Sequence, residues 1–146
     1  MPRVYVSALI EAPVGTVWAT VRQFNGLPEW HPLVAESRIE QRRAQDQVGC
    51  IRSFRLTDGG RIREQLLALS DYDFSCMYAI LESPMPVTSY VATLRLSPVT
   101  DRDQTFAEWS AEFDCAPERE AELVRRIGDG VFAAGLAALQ RRIAGR

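Results

Sequence analysis

The sequence predicts an α+β domain in which a curved antiparallel sheet wraps one long C-terminal helix. Three observations carry this. A strand and a short helical stretch come first, an unbroken run of strand-like segments follows, and an apolar-striped helix over residues 117–143 closes the chain. A meander of strands cannot bury its inner face alone, so a terminal helix of that length must lie across it. A cavity between sheet and helix is then the place to look for function.

The first strand, residues 3–11, stops at Ala12-Pro13, and proline suits the first turn of a helix because its missing N–H costs nothing there. Val14, Val17, Trp18 and Val21 recur at helical spacing and predict a short amphipathic helix to Arg22. A second helical turn runs from Phe24 to Trp30, broken by Gly26 and Pro28. His31-Pro32 ends it, since a residue before proline is pushed away from helical geometry. Strands are expected at residues 33–42, 47–56, 61–72, 74–82, 89–97 and 105–114. Asp58-Gly59-Gly60 is the clearest hairpin signal, Asp71-Tyr72-Asp73 reads as a tight turn, and Pro98 to Asp103 as a longer polar one. Ser83-Pro84-Met85-Pro86 cannot be strand interior, because two prolines remove ladder donors.

The last helix carries Leu123, Ile127, Val131, Phe132, Leu136, Leu139 and Ile143 as one apolar stripe, with Arg125, Asp129, Arg141 and Arg142 off it. Gly128, Gly130 and Gly135 are unusual there, each costing about 1 kcal/mol against alanine. Two readings stay open: close approach of a strand or ligand, or packing against bulky sheet residues such as Trp109.

A length of 146 residues fits one compact domain, residues 1–146, with a sizeable core. A net charge of −2 gives no support to nucleic-acid binding, which shows a basic stripe. Arg141, Arg142 and Arg146 read as a solvated helix terminus. No apolar run reaches membrane-spanning length, and the N-terminus lacks a signal-peptide pattern. Cys50, Cys76 and Cys115 are odd in number and far apart, which fits reduced thiols in a cytoplasmic protein. There is no metal-ligand cluster, no nucleotide loop and no nucleophile elbow, so neither a metal nor a cofactor is expected. A homodimer through an edge strand stays open.

Strand parity sorts the side chains that face the helix. Ile62, Glu64, Leu66 and Ala68 share one face, so Glu64 is a carboxylate in an apolar row. Register set by the Asp58-Gly59-Gly60 turn places Glu64 opposite Phe54 and diagonal to Arg52, which shares its face with Cys50 and Phe54. A buried charge must be paired, and Arg52 with Glu64 satisfies that rule. The opposite reading leaves both at the rim of a twisted strand, and Leu67 with Leu69 blurs the parity. Tyr78, Tyr90 and Trp109 join the inner face as core or cavity wall. His31 is the only histidine. Its ordinary pKa suits a general base, while a lone loop histidine equally serves structure.

The chain resembles the START-like (SRPBCC) superfamily with the helix-grip fold, polyketide cyclase/dehydrase-like branch. The cues are the segment Ile10-Glu11-Ala12-Pro13-Val14-Gly15-Thr16-Val17-Trp18, then Leu27-Pro28-Glu29-Trp30-His31-Pro32, Val48-Gly49-Cys50-Ile51-Arg52, the Arg63-Glu64 strand and the final helix. The resemblance covers nearly the whole chain. It implies a seven-stranded antiparallel sheet around the C-terminal helix, two short helices closing one end, and a pocket for a lipid, polyketide or other hydrophobic small molecule.

Two functions follow. One is a non-catalytic pocket protein whose ligand touches Trp30, His31, Arg52, Phe54, Glu64, Tyr78, Tyr90, Trp109 and Phe132. The other is a cyclase or dehydratase-like enzyme moving protons with Glu64 or His31, helped by Tyr78 or Tyr90, with Arg52 polarising a carbonyl. A protein–protein module would instead show a filled interior and an exposed apolar patch.

Overall fold

The computed structural model describes residues 1–145. Seven strands form one antiparallel sheet: β1 (Arg3–Ile10), β2 (Val34–Ile39), β3 (Ile51–Leu56), β4 (Arg61–Ser70), β5 (Ser75–Glu82), β6 (Thr88–Val99) and β7 (Gln104–Asp114). Their spatial order is β1-β7-β6-β5-β4-β3-β2, so the meander β2 to β7 closes with β1 against β7. Between β1 and β2 lie α1 (Val14–Val21), a 3₁₀ turn (Phe24–Gly26) and α2 (Leu27–Trp30).

The C-terminal helix is continuous but not uniform. After a 3₁₀ turn at Pro117–Arg119 come α3 (Glu120–Arg125), a π-helical stretch (Arg126–Ala133) and α4 (Ala134–Ala144). Its stripe of Leu123, Ile127, Phe132, Leu136 and Leu139 is sealed from solvent against inward sheet residues such as Leu94, Leu96, Ala107 and Phe113. The sheet's pleat supplies that face, because inward and outward residues alternate along β7 from Thr105 to Phe113.

Several boundaries differ from expectation, each for a local reason. The strand expected over 33–42 stops at Ile39 because Gln41 and Arg42 take φ of 58° and 55°. The strand expected from residue 47 starts at Ile51, after Gly49 at φ 96°. Pro98 and Val99 belong to β6 rather than to a turn. They pair only with β7, since the β5 pairing of β6 ends at Arg95, so the missing N–H of Pro98 disrupts no ladder.

The β3–β4 hairpin corrects the expected register. Arg52 lies directly opposite Glu64, and Phe54 opposite Ile62. The loop is three residues, Thr57-Asp58-Gly59, closed by Leu56 N–H donating to Gly60 O at 2.7 Å. Gly59 takes φ 95°, the left-handed residue that such loops need, and Asp58 Oδ1 accepts from Gly60 N–H at 2.9 Å. The parity blur at Leu67 is also local. A register shift between Leu66 and Ala68 turns Leu67 and Ala68 outward together and returns Leu69 to the inside.

Among the described residues no helix is long and apolar enough to cross a membrane. Cys50, Cys76 and Cys115 are free.

Candidate functional site

Between the sheet and the helix lies a cavity of about 270 Å³. Its floor and walls include Phe54, Ile62, Ile80 and Met85, which are apolar, together with Arg52, Glu64, Tyr78 and Tyr90. The exposed members of the lining, among them Leu33, Thr57, Asp58, Pro84 and Arg126, mark its mouth. Gly130 and Val131 of the π-helical stretch form the helix side.

Arg52 and Glu64 meet because β3 and β4 place them in direct register with both side chains inward. Their side chains are 6% and 8% exposed, and Arg52 Nη2 approaches Glu64 Oε1 to 2.6 Å. Arg52 Nε also donates to Oε1, at 2.9 Å, and Nη1 donates to the Phe24 carbonyl at 2.8 Å. The guanidinium lies 4.0 Å from the Phe24 ring centre and 4.8 Å from that of Tyr78. Such a desolvated cation gains on the order of 2 kcal/mol from an aromatic face. Burial raises the Glu64 carboxyl above the usual carboxylate range, and Arg52 pulls it back. The pair therefore sits inside rather than at the rim.

The two phenols differ. Tyr78 oxygen accepts from Trp109 Nε1–H at 3.0 Å. Tyr90 stacks on Phe113, ring centres 5.9 Å apart, and its hydroxyl has no hydrogen-bond partner among the described residues. Burial, reinforced by the Glu64 charge, raises both phenols. They stay protonated and act as donors at neutral pH.

His31 has a fixed role. Its Nδ1 accepts from Leu33 N–H at 3.2 Å, so the proton sits on Nε2, which donates to the Val131 carbonyl at 2.8 Å. Burial lowers its pKa, keeping it neutral. With both nitrogens engaged, the ring holds the α2–β2 connection against the π-helical stretch and has no lone pair left to act as a base.

Trp30 and Phe132, expected to touch a ligand, do not line the cavity. They pack behind Trp109, with ring centres 5.9 Å and 4.6 Å from it. His31, Arg52, Phe54, Glu64, Tyr78, Tyr90 and Trp109 do line it. Sequence reasoning missed several lining residues, Ile62, Ile80, Met85 and Arg126 among them. Arg126 was hidden by its charge, which reads as solvated helix, and Met85 by its place between two prolines.

The glycines divide the helix. A Cβ on Gly135 would stand 2.8 Å from His31 Cδ2 and 2.9 Å from Trp109 Cζ3, so only glycine admits both rings. A Cβ on Gly130 would meet nothing within 4 Å.

A family model described as "Polyketide cyclase / dehydrase and lipid transport" matches residues 1–144. No curated protein matches the sequence. A solution structure from Thermobifida fusca is 33% identical over 99% of this chain and 95% of that one, with a TM-score of 0.89. The protein XoxI from Bacillus cereus is 27% identical over 99% and 96%, with a TM-score of 0.88. Norcoclaurine synthase from Thalictrum flavum, solved in complex with dopamine and hydroxybenzaldehyde, is 18% identical over 99% and 87%, with a TM-score of 0.77. That last likeness speaks to the fold alone.

Proposed function

The chain belongs to the polyketide cyclase/dehydrase and lipid transport family, and we propose that it binds one compact hydrophobic small molecule between its sheet and its C-terminal helix. The observation that carries this reading is the cavity itself: apolar walls, a mouth, and a few polar groups converging at depth. Its volume of about 270 Å³ lies just under the usual range for small-molecule sites, which favours a compact body of a few rings over a two-chain lipid.

The test is titration with the apolar fluorescent probe N-phenyl-1-naphthylamine. Saturable one-to-one binding is expected, with energy transfer from tryptophan, and at least about a tenfold loss in Gly130→Phe, which adds a ring to the helix side of the cavity. Absence of saturable binding, or equal affinity in the variant, would overturn the reading.

Cyclisation or dehydration of a polyketide-type substrate is the second reading, and one observation favours it. Both Arg52 contacts fall on Oε1 of Glu64, a cavity-lining residue, leaving Oε2 without a hydrogen bond from the described residues on a carboxyl that burial raises. Glu64→Gln should then abolish turnover while probe affinity is kept. Retained turnover would end that reading.

A further inference from the structure

The hydrogen-bond inventory of the cavity is unbalanced in a specific way. Tyr78 oxygen accepts a hydrogen bond from Trp109 Nε1–H, but its own O–H has no acceptor among the described residues. The Tyr90 hydroxyl makes no hydrogen bond to them at all, although the residue is only 4% exposed. Glu64 receives Arg52 on Oε1 alone, so no hydrogen bond from the described residues reaches Oε2. These three residues line the same cavity, and the Glu64 charge acts on both phenols without a hydrogen bond between them.

Polar groups that line a pocket without a partner in the protein are available to whatever fills the pocket. The unmet groups here are two O–H donors and one carboxylate acceptor. Carbonyl or ether oxygens accept but cannot donate, so they would leave Oε2 unmet and present like charge to it. An ammonium donates but cannot accept, leaving both phenols idle, and it would sit beside Arg52. A hydroxyl does both from one atom.

We propose that the ligand is a compact apolar molecule bearing a hydroxyl group, which donates to Oε2 of Glu64 and accepts from Tyr90 or Tyr78. The inference rests on the binding reading above and narrows the class of molecule it admits. Tyr90 sets the selectivity, because its hydroxyl holds nothing in the protein and is free for a ligand. The ring itself remains seated on Phe113.

Calorimetric titration of the whole chain with three probes of one shape tests this: 2-naphthol, 2-methylnaphthalene and 2-naphthaldehyde. 2-Naphthol should bind at least about tenfold more tightly than 2-methylnaphthalene, and more tightly than the aldehyde, which cannot donate. Tyr90→Phe should weaken 2-naphthol by about 3- to 10-fold and leave 2-methylnaphthalene unchanged. The variant keeps its ring packing, so an unchanged unfolding midpoint certifies its fold. Equal binding of 2-naphthol and 2-methylnaphthalene would overturn the hydroxyl assignment while leaving a hydrophobic binding site in place. An aldehyde that matches 2-naphthol would overturn the role of Glu64. If none of the three binds, the binding reading falls, and this inference with it.

Discussion

Two regions of the same sheet–helix interface use their space in opposite ways. Around His31, Trp109 and Gly135 every polar atom of the histidine has a partner, and there is no room for a single added carbon. Around Tyr90 and Glu64, donors and an acceptor are left over, and at the exposed Gly130 on the helix side an added carbon meets open space. One helix serves both, packed at Gly135 and hollow at Gly130. The hollow region is maintained at a cost, since unfilled space between sheet and helix forgoes packing.

The contrast can be broken most forcefully at Arg52. Arg52→Met leaves Glu64 buried without a counter-charge and should lower unfolding free energy by about 3–5 kcal/mol in urea titration. The next effect belongs to the packed region. Gly135→Ala should cost about 1–3 kcal/mol, because His31 and Trp109 must move to admit the methyl group. Gly130→Ala, by contrast, should be neutral or stabilise by up to about 1 kcal/mol, since helix propensity improves and nothing clashes. If both alanines behave alike, the division of the interface fails.

A pH series sharpens the same comparison. Burial holds His31 below its ordinary pKa of 6.5, so the unfolded chain takes up its proton first as pH falls. The stability contributed by neutral His31 is complete above 6.5 and declines below it, until the folded-state pKa is passed. Denaturant unfolding of the wild type between about pH 7 and about pH 5.5 should therefore slope more steeply than that of His31→Gln. Parallel slopes would mean that the ring is not held neutral. The smallest effect is at Tyr90, where Tyr90→Phe should change unfolding free energy by less than about 0.5 kcal/mol, because its hydroxyl makes no bond within the protein.

The order of parts was legible because it rests on patterns that local chemistry enforces. Alternation marked the strands, Pro13 and Pro32 bounded the first helical stretch, and the apolar stripe marked the last helix. The pairing of Arg52 with Glu64 followed from parity and from the cost of burying a charge, even though the expected register was offset. That offset arose because Asp58-Gly59-Gly60 admits more than one loop length, and Gly59 rather than the Gly59-Gly60 pair takes the left-handed turn. The shift at Leu66/Ala68 and the π-helical stretch were not legible. Both depend on what the chain meets in three dimensions: a neighbouring strand in one case, and in the other a stretch of helix to which the His31 imidazole hydrogen-bonds. The role of His31 as a tether, and of Trp30 and Phe132 as backing for Trp109, was hidden for the same reason.

Methyl-resolved NMR during addition of 2-naphthol tests the central claim most directly. The account predicts that the methyl signals of Ile62, Ile80, Met85 and Val131, which line the cavity, shift on binding, while those of Leu136 and Leu139 in the packed interior stay in place. Shifts confined to Met77, Leu67 and Val91 on the outer face of the sheet, or no shifts at all, would contradict it.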